Sequence, residues 1–195
     1  MIGREDAGFS LLELLFAVSI AGTLTVIALP TAVGAMDDYR TRSAARYLAQ
    51  QIALARAQAI DRAVYVGLKF DAVGSDYSFT FVADGNGNGI RITDVQRGID
   101  LALTSADVLG WHFAGVSFGI LPGVPDADGH PANGPDGVRV GTSRVLSMNP
   151  NGASSSGTLY VHGRDRQQYA VRVLGATGRV RLLRYDQSAS RWIDQ

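Results

Sequence analysis

The sequence predicts an α+β protein in which a long N-terminal helix, membrane-spanning in its first half, packs on a mainly antiparallel β domain. Three observations predict it. Phe9 to Leu29 is a run of 21 residues in which Glu13 is the only charge, long enough to cross a bilayer as a helix. Tyr39 to Ile60 contains no Gly or Pro and is rich in Ala, Gln, Arg and Leu, a helix-forming composition. After Asp61-Arg62 the apolar period changes from helical to alternating, which marks strands.

Taken in order, residues 1–8 are a short polar leader, 9–31 the membrane helix, 32–61 its continuation, and 62–195 a β-rich globular domain. The leader, Met1-Ile2-Gly3-Arg4-Glu5-Asp6-Ala7-Gly8, lacks the apolar core of an ordinary secretory signal. If the helix is continuous from Phe9 to Ile60 it is about 78 Å long at ~1.5 Å per residue. Pro30 is a place for a kink, because it removes one backbone donor and crowds the preceding turn. Ala45, Leu48, Ile52, Ala55 and Ala59 recur at three- and four-residue spacing, so one face is apolar and small enough to lie close on a sheet.

Val64, Val66, Leu68 and Phe70 alternate, as do Tyr77, Phe79 and Phe81. Further strands are expected at Ile99–Leu103, Val116–Ile120, Val138–Met148, Thr158–His162, Tyr169–Leu174 and Arg179–Tyr185, with turn-forming residues between them. Residues 121–137 hold four of the six prolines and four glycines, too many breakers for a regular element, and read as an exposed loop or mobile insertion.

With 195 residues the chain suits one anchor and one ordinary domain. It has no cysteine, so neither a disulfide framework nor thiol catalysis is available. The formal net charge of zero conceals an asymmetry. Residues 71–136 carry nine Asp against Arg91 and Arg97, about −7, while 139–195 carry nine Arg against three Asp, about +6.

Glu13 is the residue most in need of a reason. A carboxylate in hydrocarbon costs about 2.5–3.5 kcal/mol on insertion scales and is by default functional, with a nearby partner. One turn into the run it can also reach the headgroups at small cost. The segment Gly8-Phe9-Ser10-Leu11-Leu12-Glu13 resembles the type IV prepilin family, which includes type IV pilins and the pseudopilins of type II secretion. The resemblance implies cleavage between Gly8 and Phe9 by a membrane prepilin peptidase, which also methylates Phe9. It implies that Glu13 pairs with the free amine of a neighbouring subunit during assembly. Gly22 and Pro30 fall where the family commonly places a helix-loosening glycine and proline. The leader departs from the family in having Glu5 and Asp6 beside Arg4.

Leu54-Ala55-Arg56-Ala57-Gln58-Ala59-Ile60 before a strand, Asn149-Pro150-Asn151-Gly152 with Gly157-Thr158-Leu159, and Gly178-Arg179-Val180-Arg181 resemble the GspH/FimT subfamily of minor pseudopilins and minor pilins. That resemblance implies a non-enzymatic subunit without a cofactor. It would be held in the inner membrane with its N-terminus cytoplasmic and its C-terminal domain periplasmic. Its implied partners are the prepilin peptidase, other major and minor pseudopilins or pilins, membrane lipid, and an inner-membrane assembly platform driven by a cytoplasmic ATPase.

Three patterns carry possible chemistry. Gly115-Val116-Ser117-Phe118-Gly119 matches the G-x-S-x-G nucleophile elbow, with His130 or His162 as a base, but no helix follows to build the elbow. Asp84-Gly85-Asn86-Gly87-Asn88-Gly89 reproduces the first half of a calcium loop through Asp84, Asn86 and Asn88. Its twelfth position is Val95, not Glu, and Asp94 comes one residue early, so a plain turn fits as well. Arg179 and Arg181 share a strand face and resemble the GRxR element with which some FimT-type pilins bind DNA, chemistry that paired guanidinium groups perform well. The same pair also suits a soluble strand face or one that docks an acidic neighbour.

Overall fold

The computed structural model describes residues 10–195, and the chain divides into two compact units, Met1–Met36 and Asp37–Gln195. Helix α1, Leu11–Arg62, runs through both. Its backbone stays helical across Gly22 and Pro30, since proline deletes only one hydrogen bond from a ladder supported on both sides.

In the first unit the apolar side chains face outward: Leu11, Phe16, Leu24, Val26 and Leu29 are all more than half exposed. Among the described residues α1 is the one helix long and apolar enough to cross a membrane. The hydroxyls within the run fold back on the helix. Ser19, Thr23, Thr25 and Thr31 donate to the carbonyls of Leu15, Ser19, Ala21 and Ala28 at 2.8–3.1 Å, so each polar side chain brings its own partner into a solvent that supplies none.

In the second unit α1 buries the face that its spacing predicts. Ala44, Ala45, Leu48, Ile52, Ala55 and Ala59 are at most 1% exposed. Eleven strands follow among the described residues: β1 (Val66–Val73), β2 (Asp76–Ala83), β3 (Leu101–Ala102), β4 (Asp107–Val108), β5 (Ser117–Phe118), β6 (Val138–Arg139), β7 (Val145–Met148), β8 (Gly157–His162), β9 (Gln168–Leu174), β10 (Arg179–Asp186) and β11 (Arg191–Asp194). Short helices α2 (Ile92–Gln96) and α3 (Leu109–His112) lie on the connections.

Every strand pairing is antiparallel. One sheet has the order β3-β2-β1-β7 with β4 also on β2, and the other β11-β10-β9-β8-β5 with β6 also on β8. Val66, Leu68, Phe79 and Phe81 of the first sheet, Leu159, Val161, Val171 and Val173 of the second, and the helix face form one core. Full burial of a residue such as Leu48 or Ile52 contributes about 1.5–3 kcal/mol. The alanines contribute little area but let the helix backbone approach the sheets.

Two strand expectations are corrected. Val138–Met148 is not one strand: β6 belongs to the second sheet and β7 to the first. The chain crosses between them at Gly141 (φ 81°) and Arg144 (φ 51°), left-handed positions that end a strand. Ile99–Leu103 shrinks to β3 because Asp100 is buried and its carboxylate takes the N–H groups of Gly85 and Arg91. Residues 121–137 form no helix or strand, yet they do not stand free. Val124 packs with Ile120, Tyr160, Ala170 and Leu183, Ala127 N–H donates to Tyr160 Oη at 2.8 Å, and Trp192 Nε1 donates to Pro125 O at 3.2 Å.

Two tyrosines fasten α1 to both sheets. Tyr47 Oη donates to Asp107 Oδ2 of β4 at 2.6 Å, and Tyr169 Oη of β9 donates to Asp38 Oδ1 at 2.9 Å. Burial first, and then the accepting carboxylate, pushes both phenols up to about 12 from 10.0. A phenol whose folded value is raised stabilises the fold fully below its unfolded value, and that stability is lost as the pH rises toward the folded one. The urea midpoint of the full chain in detergent is therefore expected to fall steeply between about pH 10 and pH 12. Tyr47→Phe/Tyr169→Phe lowers the midpoint at pH 8 and flattens the fall; an unchanged slope in the double variant contradicts this origin.

Candidate functional site

At the N-terminus the proposed cleavage residues Gly8 and Phe9 lie outside the described residues. Glu13 lies within them, in the first turn of α1. Ser10 opens that helix: its Oγ accepts the Leu12 N–H at 3.3 Å and its carbonyl accepts the Leu14 N–H at 3.1 Å. Ser10 and Glu13 thus have the spacing of a capping box. A carboxylate in this turn is favoured by the exposed N–H groups and the positive end of the helix dipole. Glu13 makes no ion pair among the described residues. An acid held at the start of an apolar, outward-facing helix has the chemistry to accept a cation, and apolar surroundings strengthen any such pairing.

The family model described as the prokaryotic N-terminal methylation motif matches residues 3–29. The chain carries a prepilin-type methylation motif. The match takes in Gly8, Phe9, Glu13 and the apolar run together. No curated protein and no solved structure matches the chain. The prepilin-like N-terminus, single membrane-spanning helix and helix-on-β head agree with a structural, pilin-like role.

The other marked residues fall as follows. Arg179 and Arg181 are exposed on one face of β10, and Arg172 stands opposite Arg181 on β9. Arg181 is engaged by Asp194 through both Nε and Nη2, and this partner raises its already high pKa further. Arg172 pairs with Asp128 at 2.7 Å. Arg179 has no ion pair among the described residues and lines a groove with Arg56, Ala53, Ala57 and Gly178. The motif thus presents one free guanidinium and one neutralised.

The loop Asp84–Gly89 turns its oxygens inward. Asp84 Oδ1 accepts the N–H groups of Asn86 and Gly87, and Oδ2 that of Gly89, at 2.7–3.0 Å. Asn86 and Asn88 aim their amide nitrogens at Asp94 Oδ2. The Asn88 amide foremost, with burial opposing and Asn86, Arg91 and Arg97 assisting, holds the Asp94 carboxyl below the usual range. Alternate oxygen-bearing residues here organise a turn, an outcome that the same spacing allows.

Ser117 and His162 do come together, because they face each other across β5 and β8. Ser117 Oγ lies 3.3 Å from His162 Nε2, and His162 Nδ1 lies 2.9 Å from the Gly163 carbonyl, which therefore receives the ring proton. An elbow is not formed. Ser117 is in a strand, among the described residues no carboxylate backs the histidine, and the neighbouring N–H groups of Phe118 and Gly119 are taken by Asp76 and by the Tyr160 carbonyl. Donors for an oxyanion are thus already occupied. His130 pairs instead with Asp126 at 3.8 Å.

Sequence reasoning missed Asp37 and Asp38, where α1 enters the second unit. Asp37 is 6% exposed, and its two oxygens accept the Arg164 and Asp165 N–H groups at 3.1 and 3.3 Å. A Cβ at Gly163 would come within 2.3 Å of Asp37 Oδ2 and 2.5 Å of Thr41 Oγ1, so only glycine lets the turn Gly163–Gln167 close on the helix. The available signal was an acidic pair directly after an apolar run. Removing the Asp37 carboxylate leaves two N–H groups without acceptors, a loss of about 1–3 kcal/mol. Asp37→Ala should lower the thermal midpoint of the full chain in detergent and speed amide exchange at Arg164 and Asp165 before the rest of β8 and β9. Uniform exchange would contradict a local anchor.

Proposed function

We propose that the chain is a minor pseudopilin of type II secretion, similar to GspH: a subunit that helps initiate or cap a short periplasmic filament which pushes folded proteins outward. The observation that carries this reading is the methylation motif over residues 3–29, joined in one helix to Glu13 and to a β-rich head. Cleavage after Gly8 frees the amine of Phe9, which the peptidase methylates. Glu13 then accepts the amine of a neighbouring subunit. The apolar stem sits in the inner membrane and afterwards in the filament, while the head stays periplasmic. The partners are the prepilin peptidase, other pseudopilins and the inner-membrane platform. The chain works by assembly and not by turnover.

Glu13→Ala removes the pairing between subunits but not the anchor. Processed, N-methylated Phe9 should still be found by mass spectrometry of the variant from membranes, while its incorporation into sheared filaments falls at least about tenfold, since removing one partner of a buried ion pair costs about 3–5 kcal/mol. Equal incorporation of variant and parent contradicts the role of Glu13. An intact Met1 in both contradicts the pilin-like reading itself.

A second reading, a FimT-like minor pilin that binds DNA for uptake, is favoured by one observation, the exposure of Arg179 without an ion-pair partner among the described residues. On this reading the full chain in detergent retards duplex DNA at low salt without sequence preference and releases it steeply as salt rises. Arg179→Ala weakens the shift more than Arg181→Ala, whose guanidinium already holds Asp194. No shift at low salt ends the reading.

A further inference from the structure

Three segments singled out in the sequence, residues 54–60, 149–152 and 178–181, lie far apart in the chain and meet at one side chain, Arg56. A Cβ at Gly152 would lie 3.0 Å from Arg56 Nη2, and one at Gly178 would lie 3.1 Å from Arg56 Nε. The guanidinium therefore rests against both glycines. Their turns are closed independently of it: Gly152 N–H donates to Asn149 O at 2.9 Å, and Gly178 N–H donates to Leu174 O at 2.8 Å. Both glycines are left-handed, with φ of 86° and 61°, a conformation that a side chain would strain. Arg56 is thus held in one place by backbone that has little freedom to move.

Held there, its charge is met by nothing that the fold supplies. Arg56 is half-buried, its Nε is buried without a hydrogen-bond partner, and among the described residues no carboxylate pairs with it. A partly desolvated guanidinium without an acceptor is costly, and an oxyanion relieves that cost. Arg179, likewise without an ion pair among the described residues, lines the same groove of about 410 Å³, a volume in the range of ligand sites. Besides Gly178, the rest of the lining is Ala49, Ala53, Ala57, Ile60 and Val180. These side chains are short or apolar and bring no acid of their own.

We propose that Arg56 of α1 and Arg179 of β10 form a two-armed cleft for a phosphate group. One guanidinium fork saturates a planar carboxylate, whereas a tetrahedral phosphate offers oxygens to two forks that come from different elements. Arg181 is not the second arm, because Asp194 engages it through both Nε and Nη2. The phosphate is that of a free anion or of a DNA backbone. For the second source the cleft rests on the DNA reading above, and it puts Arg56 there in the place of Arg181.

The test uses the full chain in detergent with two probes, inorganic phosphate and a short fluorescent DNA duplex. The Arg56 Nε–H resonance decides the cleft, and the duplex decides the source. Inorganic phosphate should shift that resonance in the parent. Ala53→Glu leaves both arginines in place and supplies a resident carboxylate three residues before Arg56; it should abolish the shift without lowering the thermal midpoint. If DNA is the source, Arg56→Gln weakens duplex binding about tenfold, as loss of hydrogen bonds to a charged group implies, and lowers the slope of log K against log salt by about 1. Arg181→Gln does less. A shift with phosphate, joined to duplex binding that Arg56→Gln leaves unchanged or to no duplex binding, supports the cleft as a free-anion site. A resonance that neither probe moves overturns the cleft; the DNA reading survives that result if the duplex still binds, and falls with it if the duplex does not. A glutamate-rich peptide that moves the resonance at lower concentration than phosphate also overturns the proposal, in favour of a carboxylate site.

Discussion

One uninterrupted helix has to suit two environments, and the changeover at Asp37 is the constraint on which the other features depend. Up to Met36 the described apolar side chains of α1 face outward, and the hydroxyls among them bond to their own helix. From Asp37 the same helix turns a stripe of alanines, Leu48 and Ile52 onto two sheets. A buried carboxylate at the junction is tolerable only when its oxygens are satisfied. Here the satisfying groups are backbone donors of the β8–β9 turn, so the polar requirement of the helix and that of the turn are met by one contact. Gly163 follows as a consequence, because any side chain there would occupy the space of that carboxylate.

The zero net charge has a related explanation. The acidic middle of the chain and its basic C-terminal part meet inside one head: Arg139 with Asp126, Arg172 with Asp128, and Arg144 with Asp136. Other middle acids, Asp84, Asp94 and Asp100, are buried and bonded to amide groups of their own loop. An acidic segment available for docking a neighbour is therefore not what the fold leaves. Its surplus is of guanidiniums, since carboxylates reach backbone N–H groups easily and arginine needs an oxygen acceptor that strands have already engaged.

The architecture was legible where periodicity is long. The alternation of Val66, Leu68 and Phe70, and of Phe79 and Phe81, located β1 and β2, and the spacing of Ala45 to Ala59 located the packed helix face. It failed where the short turn Gly141-Thr142-Ser143-Arg144 divides two apolar stretches: Val138, Val140, Val145 and Leu146 are all buried, yet they serve two sheets. The short pieces β4, β11, α2 and α3 carry too few residues for any period to be seen. At the candidate site, Glu13 and the glycine before Phe9 stood out because a single charge in an apolar run is conspicuous. The contacts of Asp37 and Asp38 did not, because their partners are more than a hundred residues away in the chain. The pairing of Arg181 with Asp194 was hidden for another reason: β11 was too short to anticipate.

The spacing of the fastenings along α1 bears on what such a subunit can withstand. Asp37 and Asp38 hold the turn and β9 at one end of the packed segment, Tyr47 holds β4 in its middle, and Leu48, Ile52, Ala55 and Ala59 continue the contact to its far end. A load applied along the stem would have to shear these contacts together, since no one of them can slip a helical turn while the others stay in register. Long side chains on the buried face would allow gradual sliding by rotamer change; alanine has no such freedom. A small-residue face pinned at its entry by carboxylates is therefore a rigid attachment. It makes the packed part of α1 and the two sheets respond to a load as one piece.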